Sequence, residues 1–291
     1  MVSSLVLGGS GQIGRFLIPK LLARGHSVIA LSRVPRTSET ENLRWVCGDL
    51  FSAMPEFGPL DVIFSLGPLN GFANWVDRAE WQGKPRLVAL GSMSVASKRD
   101  SPDAQERELA EVLRQGERQL SEAALRKELD WTVLRPTLIY GAGLDRSLSP
   151  LAHLGMRWRV FPEIEAATGL RQPVHADDLA DACLAASRVP LARGQIFDLG
   201  GGEQLSFSKM LSRVRGSLPR PTLGIPLSLR ALRFALQFAR MRPQWRGITS
   251  QAIDRLNLNL VADDRPARER LGWSPRTFEP VAATWIERPI N

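Results

Sequence analysis

Val2-Ser3-Ser4-Leu5-Val6-Leu7-Gly8-Gly9-Ser10-Gly11-Gln12-Ile13-Gly14 opens the chain and decides its fold. Residues 2–7 read as a short buried strand. Gly8-x-x-Gly11-x-x-Gly14 joins it to a segment from Arg15 to Arg24 with Phe16, Leu17, Leu21 and Leu22 at helical spacing. Gly25 stops that helix, and Pro19 inside it should bend it or sit early enough to be tolerated. Val28-Ile29-Ala30-Leu31 reads as a second strand. Strand, glycine turn, helix and strand make one β-α-β unit, which implies a parallel sheet. Glycines in this setting allow a tight turn. They also let backbone N–H groups and the positive end of a helix approach a pyrophosphate.

The alternation continues outward. Leu43–Val46, Val62–Leu66, Leu87–Leu90, Trp131–Leu134 and Ile196–Leu199 read as strands, and Ala104–Glu128 and Asp177–Ser187 as helices. The fold class is α/β, a doubly wound parallel Rossmann sheet with a smaller C-terminal substrate lobe. Residues 1–143, with 175–202 returning to them, form the expected dinucleotide-binding domain. Residues 144–174 and 203–291 form the lobe, packed over the carboxyl edge of the sheet. Ser274 to Asn291, with its prolines, is expected to run over the surface.

Composition narrows the class. The 291 residues are 44% hydrophobic and 23% charged, which excludes a disordered or collagen-like chain. Cys47 and Cys183 are far apart and belong to no C-x-x-C pair, so both read as small buried hydrophobes and no metal site is signalled. No basic leader precedes the first strand and no apolar run reaches a membrane-spanning length. A cytoplasmic protein is expected. The net charge of +8 is local. From Gln204 to Ile253 there are nine basic residues and no Asp or Glu, while the rest holds 29 basic and 30 acidic residues.

The end of the second strand bears on cofactor type. An acid there would bind a ribose 2′-hydroxyl. This chain has Ser32-Arg33 and then Arg36, and arginines suit a 2′-phosphate through charge-assisted hydrogen bonds. The reading is NADP in preference to NAD.

Taken together, the motifs resemble the extended short-chain dehydrogenase/reductases of the NAD-dependent epimerase/dehydratase type. The resemblance rests on the glycine loop, Gly48-Asp49-Leu50, Leu134-Arg135-Pro136-Thr137-Leu138-Ile139-Tyr140-Gly141, Gln172-Pro173-Val174-His175-Ala176-Asp177-Asp178-Leu179-Ala180 and Leu271-Gly272-Trp273-Ser274-Pro275-Arg276. It implies cofactor contacts at Gly8, Ser10, Gly11, Gln12, Ile13 and Gly14, with Asp49 and Leu50 beside the adenine. Leu66, Gly67 and Pro68 would line the ribose, and Pro136 would lie near the nicotinamide. It implies a nucleotide-sugar-like substrate in the second lobe. Ser92 matches the family's serine and would hold the reacting oxygen, with Ser94 nearby.

One departure stands out. Family chemistry uses Tyr-x-x-x-Lys, the tyrosinate as acid/base and the lysine to lower its pKa. The chain has one tyrosine, Tyr140, and Leu144 stands four residues on. Alignment puts Leu109 and Leu113 at the two positions, and neither moves a proton. Three readings stay open: an enzyme using another group, a catalytically silent NAD(P)-binding sensor or scaffold, or a branch that does not need the pair. Tyr140 at the cleft edge is the remaining acid/base candidate, against a positional role. His175 could titrate and meet substrate, or it could pack at the lobe junction while Asp177 or Asp178 caps the following helix. His26 reads as structural.

The tract 227–242 sets Arg230, Arg233, Gln237 and Arg240 on one helical face. It could meet an anionic membrane surface, present Arg240 to a substrate diphosphate, or face water. Trp245 alone does not make a nucleic-acid site, and none is expected.

Overall fold

The computed structural model describes residues 1–36, 40–52, 54–164, 166–228, 253 and 255–289. Seven parallel strands form the central sheet. They are β1 (Ser3–Leu7), β2 (Ser27–Ser32), β3 (Leu43–Cys47), β4 (Val62–Ser65), β5 (Arg86–Leu90), β6 (Trp131–Pro136) and β11 (Gln195–Leu199). The order across the sheet is β3-β2-β1-β4-β5-β6-β11, all pairs parallel. The order reverses between β1 and β4, and the crevice above such a reversal is where open α/β sheets bind ligands.

The apolar runs that identified the strands follow from burial on both faces. Val6 of β1 faces a cluster with Phe16, Leu17 and Leu21 of α1 (Gly14–Leu22) and Leu179 and Cys183 of α6 (Ala176–Arg188). Leu5 and Leu7 face the other side, against Phe72 and Val76 of α2 (Leu69–Arg78) and Leu120 of α4 (Ala104–Arg126). Helices α1 and α6 are tied further by Lys20, whose ammonium lies 2.8 Å from Asp177 and 2.5 Å from Asp181.

Beyond Gly143 the chain is more ordered than its pattern suggests. It adds α5 (Ser149–Trp158), α7 (Phe207–Gly216) and α8 (Arg265–Leu271), and the paired short strands β7 (Ile139–Tyr140) with β10 (Val174–His175), β8 (Val160–Glu163) with β13 (Leu223–Pro226), and β9 (Leu170–Arg171) with β12 (Leu205–Ser206). A third core cluster holds this part together through Tyr140, Phe161, Met210, Phe278 and Trp285.

Two expectations are corrected. The stretch from Ser274 does not simply run over the surface: Phe278 and Trp285 are fully buried, and the Trp285 indole donates to Ser217 Oγ at 2.8 Å. Cys47 is exposed at the end of β3, with Sγ 3.6 Å from the Arg33 carbonyl, while Cys183 is buried. The tract 229–242, with Arg230, Arg233, Gln237 and Arg240, and also Trp245, lies outside the described residues.

Candidate cofactor and active site

The glycine loop leaves no room for side chains. Gly8 has φ +77°, a region that favours glycine, and the Gly11 amide donates to Gly8 O at 2.9 Å. A Cβ on Gly14 would stand 2.2 Å from Gly9 O. Helix α1 begins there with no side-chain cap, so its positive end faces the loop. The carboxamide oxygen of Gln12 is buried with no hydrogen-bond partner. A polar atom in that state is one a ligand donor would satisfy.

Beside the loop is a cavity of about 280 Å³ lined by Gly8, Ser10, Gly11, Ser32, Arg33, Asp49, Leu50, Leu66, Gly67 and Pro68, among others. Most cofactor-binding positions inferred from sequence meet in this one space, at the reversal between β1 and β4. The Ser32 hydroxyl accepts from the Val34 amide at 3.3 Å and lies 3.5 Å from Ser10 Oγ. Arg33 is exposed at the cavity. Arg36 is set apart from it: its guanidinium stacks over the Trp45 ring, 5.3 Å from the centroid. Asp49 folds its own loop, accepting from the Phe51 amide at 2.9 Å.

At the far end of the crevice, the Pro136 carbonyl accepts from the Met93 amide at 3.1 Å, which fixes the Ser92–Ser94 loop beside β6. Ser92 Oγ accepts from the Ser94 amide at 3.1 Å. Arg135 forms two 2.6 Å hydrogen bonds with Glu117 of α4, and Glu117 Oε1 would be 3.3 Å from a Cβ on Gly91. That pair clamps α4 to the serine loop, and the Glu117 bonds raise the Arg135 pKa. Leu109 is exposed and Leu113 is half-buried on the same helix.

Tyr140 does not reach this space. It is 1% exposed, packed edge-to-face on His175 and Phe278 at 5.0 and 4.8 Å. Burial pushes its pKa above the normal phenol range. The geometry matches a packing role and gives the phenol no open face toward a substrate. His175 is itself the N-cap of α6: Nδ1 accepts from the Asp177 amide at 3.1 Å. Burial first, and then the charge of Arg276, lower its pKa to about 4, so it stays neutral at pH 7. Asp177 and Asp178 instead hold Arg276, at 2.7 and 2.8 Å. The Leu271–Arg276 motif thereby locks onto α6, with the Trp273 indole donating to Gly200 O at 3.0 Å. His26 pairs with Ser4 Oγ at 2.8 Å inside the fold.

Comparison with known proteins agrees with this geometry. A family model described as NAD(P)H-binding matches residues 8–143. The UDP-glucose 4-epimerase of Vibrio cholerae is 24% identical over 215 residues, which is 70% of this chain and 63% of that protein. This chain therefore spans less than two thirds of that relative's length. Among solved structures, MoeE5 with UDP-glucose and NAD superposes with a TM-score of 0.69 at 22% identity, covering 98% and 97% of the two chains. The UDP-glucuronic acid 4-epimerase of Bacillus cereus with NAD gives 0.71 at 14% identity, covering 98% and 97%.

Residues 8–143 carry an NAD(P)H-binding domain, and the chain as a whole shares the fold of those solved structures. No described helix is long and apolar enough to cross a membrane.

Sequence reasoning missed two features of this domain. Lys98, next after α3 (Ser94–Ser97), lies 3.6 Å from Glu106 of α4. Glu106 is 6% exposed, accepts from Ser101 Oγ at 2.7 Å and pairs closely with Arg255, far along the chain. Burial, then Arg255, lower the Lys98 pKa. The second feature is Arg15, whose Nε donates to Ser10 O at 3.2 Å while Nη2 lies 2.6 Å from Glu287. Only proximity in the folded chain reveals either set.

Proposed function

We propose that the chain binds a nicotinamide dinucleotide, NADP in preference to NAD, and reduces, epimerises or dehydrates a nucleotide-sugar-like substrate. The observation that carries the reading is the cavity at the β1/β4 reversal, with glycine where a Cβ would collide and Arg33 where other dinucleotide folds carry an acid. The residues present fit the group. Ser10, Gly11, Gln12, Ile13 and Gly14 would hold the pyrophosphate, Ser32 and Arg33 the 2′-phosphate, and Asp49 and Leu50 the adenine. Leu66, Gly67 and Pro68 would flank the ribose, and Pro136 the nicotinamide. When bound, the nicotinamide supplies hydride acceptance or donation at a substrate carbon.

The protein's own groups orient the reactants. Ser92 donates its hydroxyl to the reacting oxygen, with Ser94 beside it. Lys98 is the group we assign to proton transfer, because it adjoins that loop, is partly desolvated, and has a lowered pKa. Calorimetric titration with NADPH and NADH tests binding. Absorbance of the reduced nicotinamide tests reduction of UDP-sugars, and chromatography of the sugar tests epimerisation or dehydration, in which the hydride returns to the product and the absorbance ends unchanged. A second reading, dinucleotide binding without turnover, is favoured by Leu109 and Leu113 at the Tyr and Lys positions. It predicts tight binding with neither an absorbance change nor a new sugar product.

A further inference from the structure

One end of the second lobe combines exposed apolar side chains with unpaired positive charge. Trp158, Leu223 and Ile225 are 61%, 69% and 41% exposed. They are brought together by backbone pairing. Leu223 is in register with Val160, and its amide donates to Arg159 O at 2.8 Å, next to Trp158. Leu223 and Ile225, two apart on β13, point to the same side.

Arginines frame this patch. The Arg157 guanidinium lies over the Trp158 ring, 5.3 Å from its centroid. Arg159 has φ +60° at the end of α5, a conformation that favours glycine, and its Nε donates to Pro221 O at 3.1 Å. Arg220 is exposed beside it. None of the three has an ion-pair partner among the described residues. The nearby carboxylate, Glu163, is already paired with Arg215.

We infer that this face docks on an anionic lipid surface, with Trp158, Leu223 and Ile225 at the headgroup level and Arg157, Arg159 and Arg220 on lipid phosphates. Tryptophan settles at membrane–water interfaces because its ring is apolar and its N–H polar. Arginine adds attraction to anionic lipid, and each one near the surface is worth roughly fivefold in affinity. Exposed arginines set beside exposed indole and aliphatic side chains match a surface that is anionic and apolar at once, as a lipid headgroup layer is. This inference is independent of turnover and of the dinucleotide.

The test is co-sedimentation of the full chain with vesicles of phosphatidylcholine alone or mixed equally with phosphatidylglycerol. Sedimentation with the mixed vesicles only, lost in high salt, is the expected result. Arg157→Gln/Arg159→Gln/Arg220→Gln should weaken it by about tenfold or more, and Trp158→Ala/Leu223→Ser should weaken it while NADPH binding is unchanged. No binding to the mixed vesicles, or equal binding by the triple variant, overturns the inference. So does a dimer in sedimentation velocity that Trp158→Ala dissociates, or duplex DNA retained where vesicles are not.

Discussion

The guanidinium of Arg15 lies between Glu287, at 2.6 Å, and the carbonyl of Ser10, at 3.2 Å. One cation thus links the C-terminal part of the chain to the glycine-rich loop. Arg15 is 6% exposed, whereas the Glu287 side chain is 62% exposed. The two halves of the bridge therefore differ in weight: the half toward Ser10 shapes the loop, and the half toward Glu287 is largely solvated.

Arg15→Met keeps the aliphatic stem and removes the loop bond. It should weaken NADPH binding by about tenfold, the worth of one charge-assisted hydrogen bond. Glu287→Gln should change it by less than about threefold, because a solvated pair contributes little. Calorimetric titration of both variants checks the ranking.

His175 predicts a pH dependence of stability. Its folded pKa, about 4, lies below the unfolded value of 6.5. Between these values the unfolded chain binds more protons, so stability is fully present above pH 6.5 and is lost as pH falls through 4. The loss is up to about 3 kcal/mol. His175→Asn retains a capping side chain and cannot titrate. Urea unfolding from pH 7 to pH 4 should show a shallower decline for the variant than for the native chain.

Glu117→Ala should cost about 3 kcal/mol, because among the described residues it leaves the half-buried Arg135 guanidinium with only Asp198, at 3.5 Å, for a partner. The melting temperature would fall by roughly 5–10 °C. Glu117→Gln, which keeps hydrogen-bond acceptance, should lie between the two in a thermal melt.

Tyr140→Phe should leave turnover within about twofold of native, since the ring packs and the hydroxyl takes no part. Lys98→Met should lower kcat by at least about a hundredfold with NADPH affinity unchanged. Stopped-assay kinetics with the best UDP-sugar found would separate the two. A reversed order would move the proton-transfer role to Tyr140.

The sheet was legible because a strand covered on both faces must be an unbroken apolar run, as in Leu5-Val6-Leu7 and Leu87-Val88-Ala89-Leu90. The glycine loop was legible because its spacing lies between such a run and a helix. Helix α2 was not, since Asn-Gly, here Asn70-Gly71 near its start, is a pair that favours turns over helix. Gly71 is there because a Cβ would be 3.1 Å from Leu50 and Phe51. The cap at His175 was hidden because caps are normally Ser, Thr, Asp or Asn, and two aspartates follow it. Arg15 with Glu287 and Glu106 with Arg255 join residues 272 and 149 positions apart, and nothing local announces such pairs.

The central claim is that the cavity beside Gly8–Gly14 takes a dinucleotide with a 2′-phosphate read by Arg33. Calorimetric titration of the native chain and of Arg33→Ala with NADPH and NADH tests it most directly. The account predicts NADPH at least about tenfold tighter than NADH, with that preference abolished in Arg33→Ala. Equal affinities, a preference that survives the substitution, or no binding of either dinucleotide would contradict it.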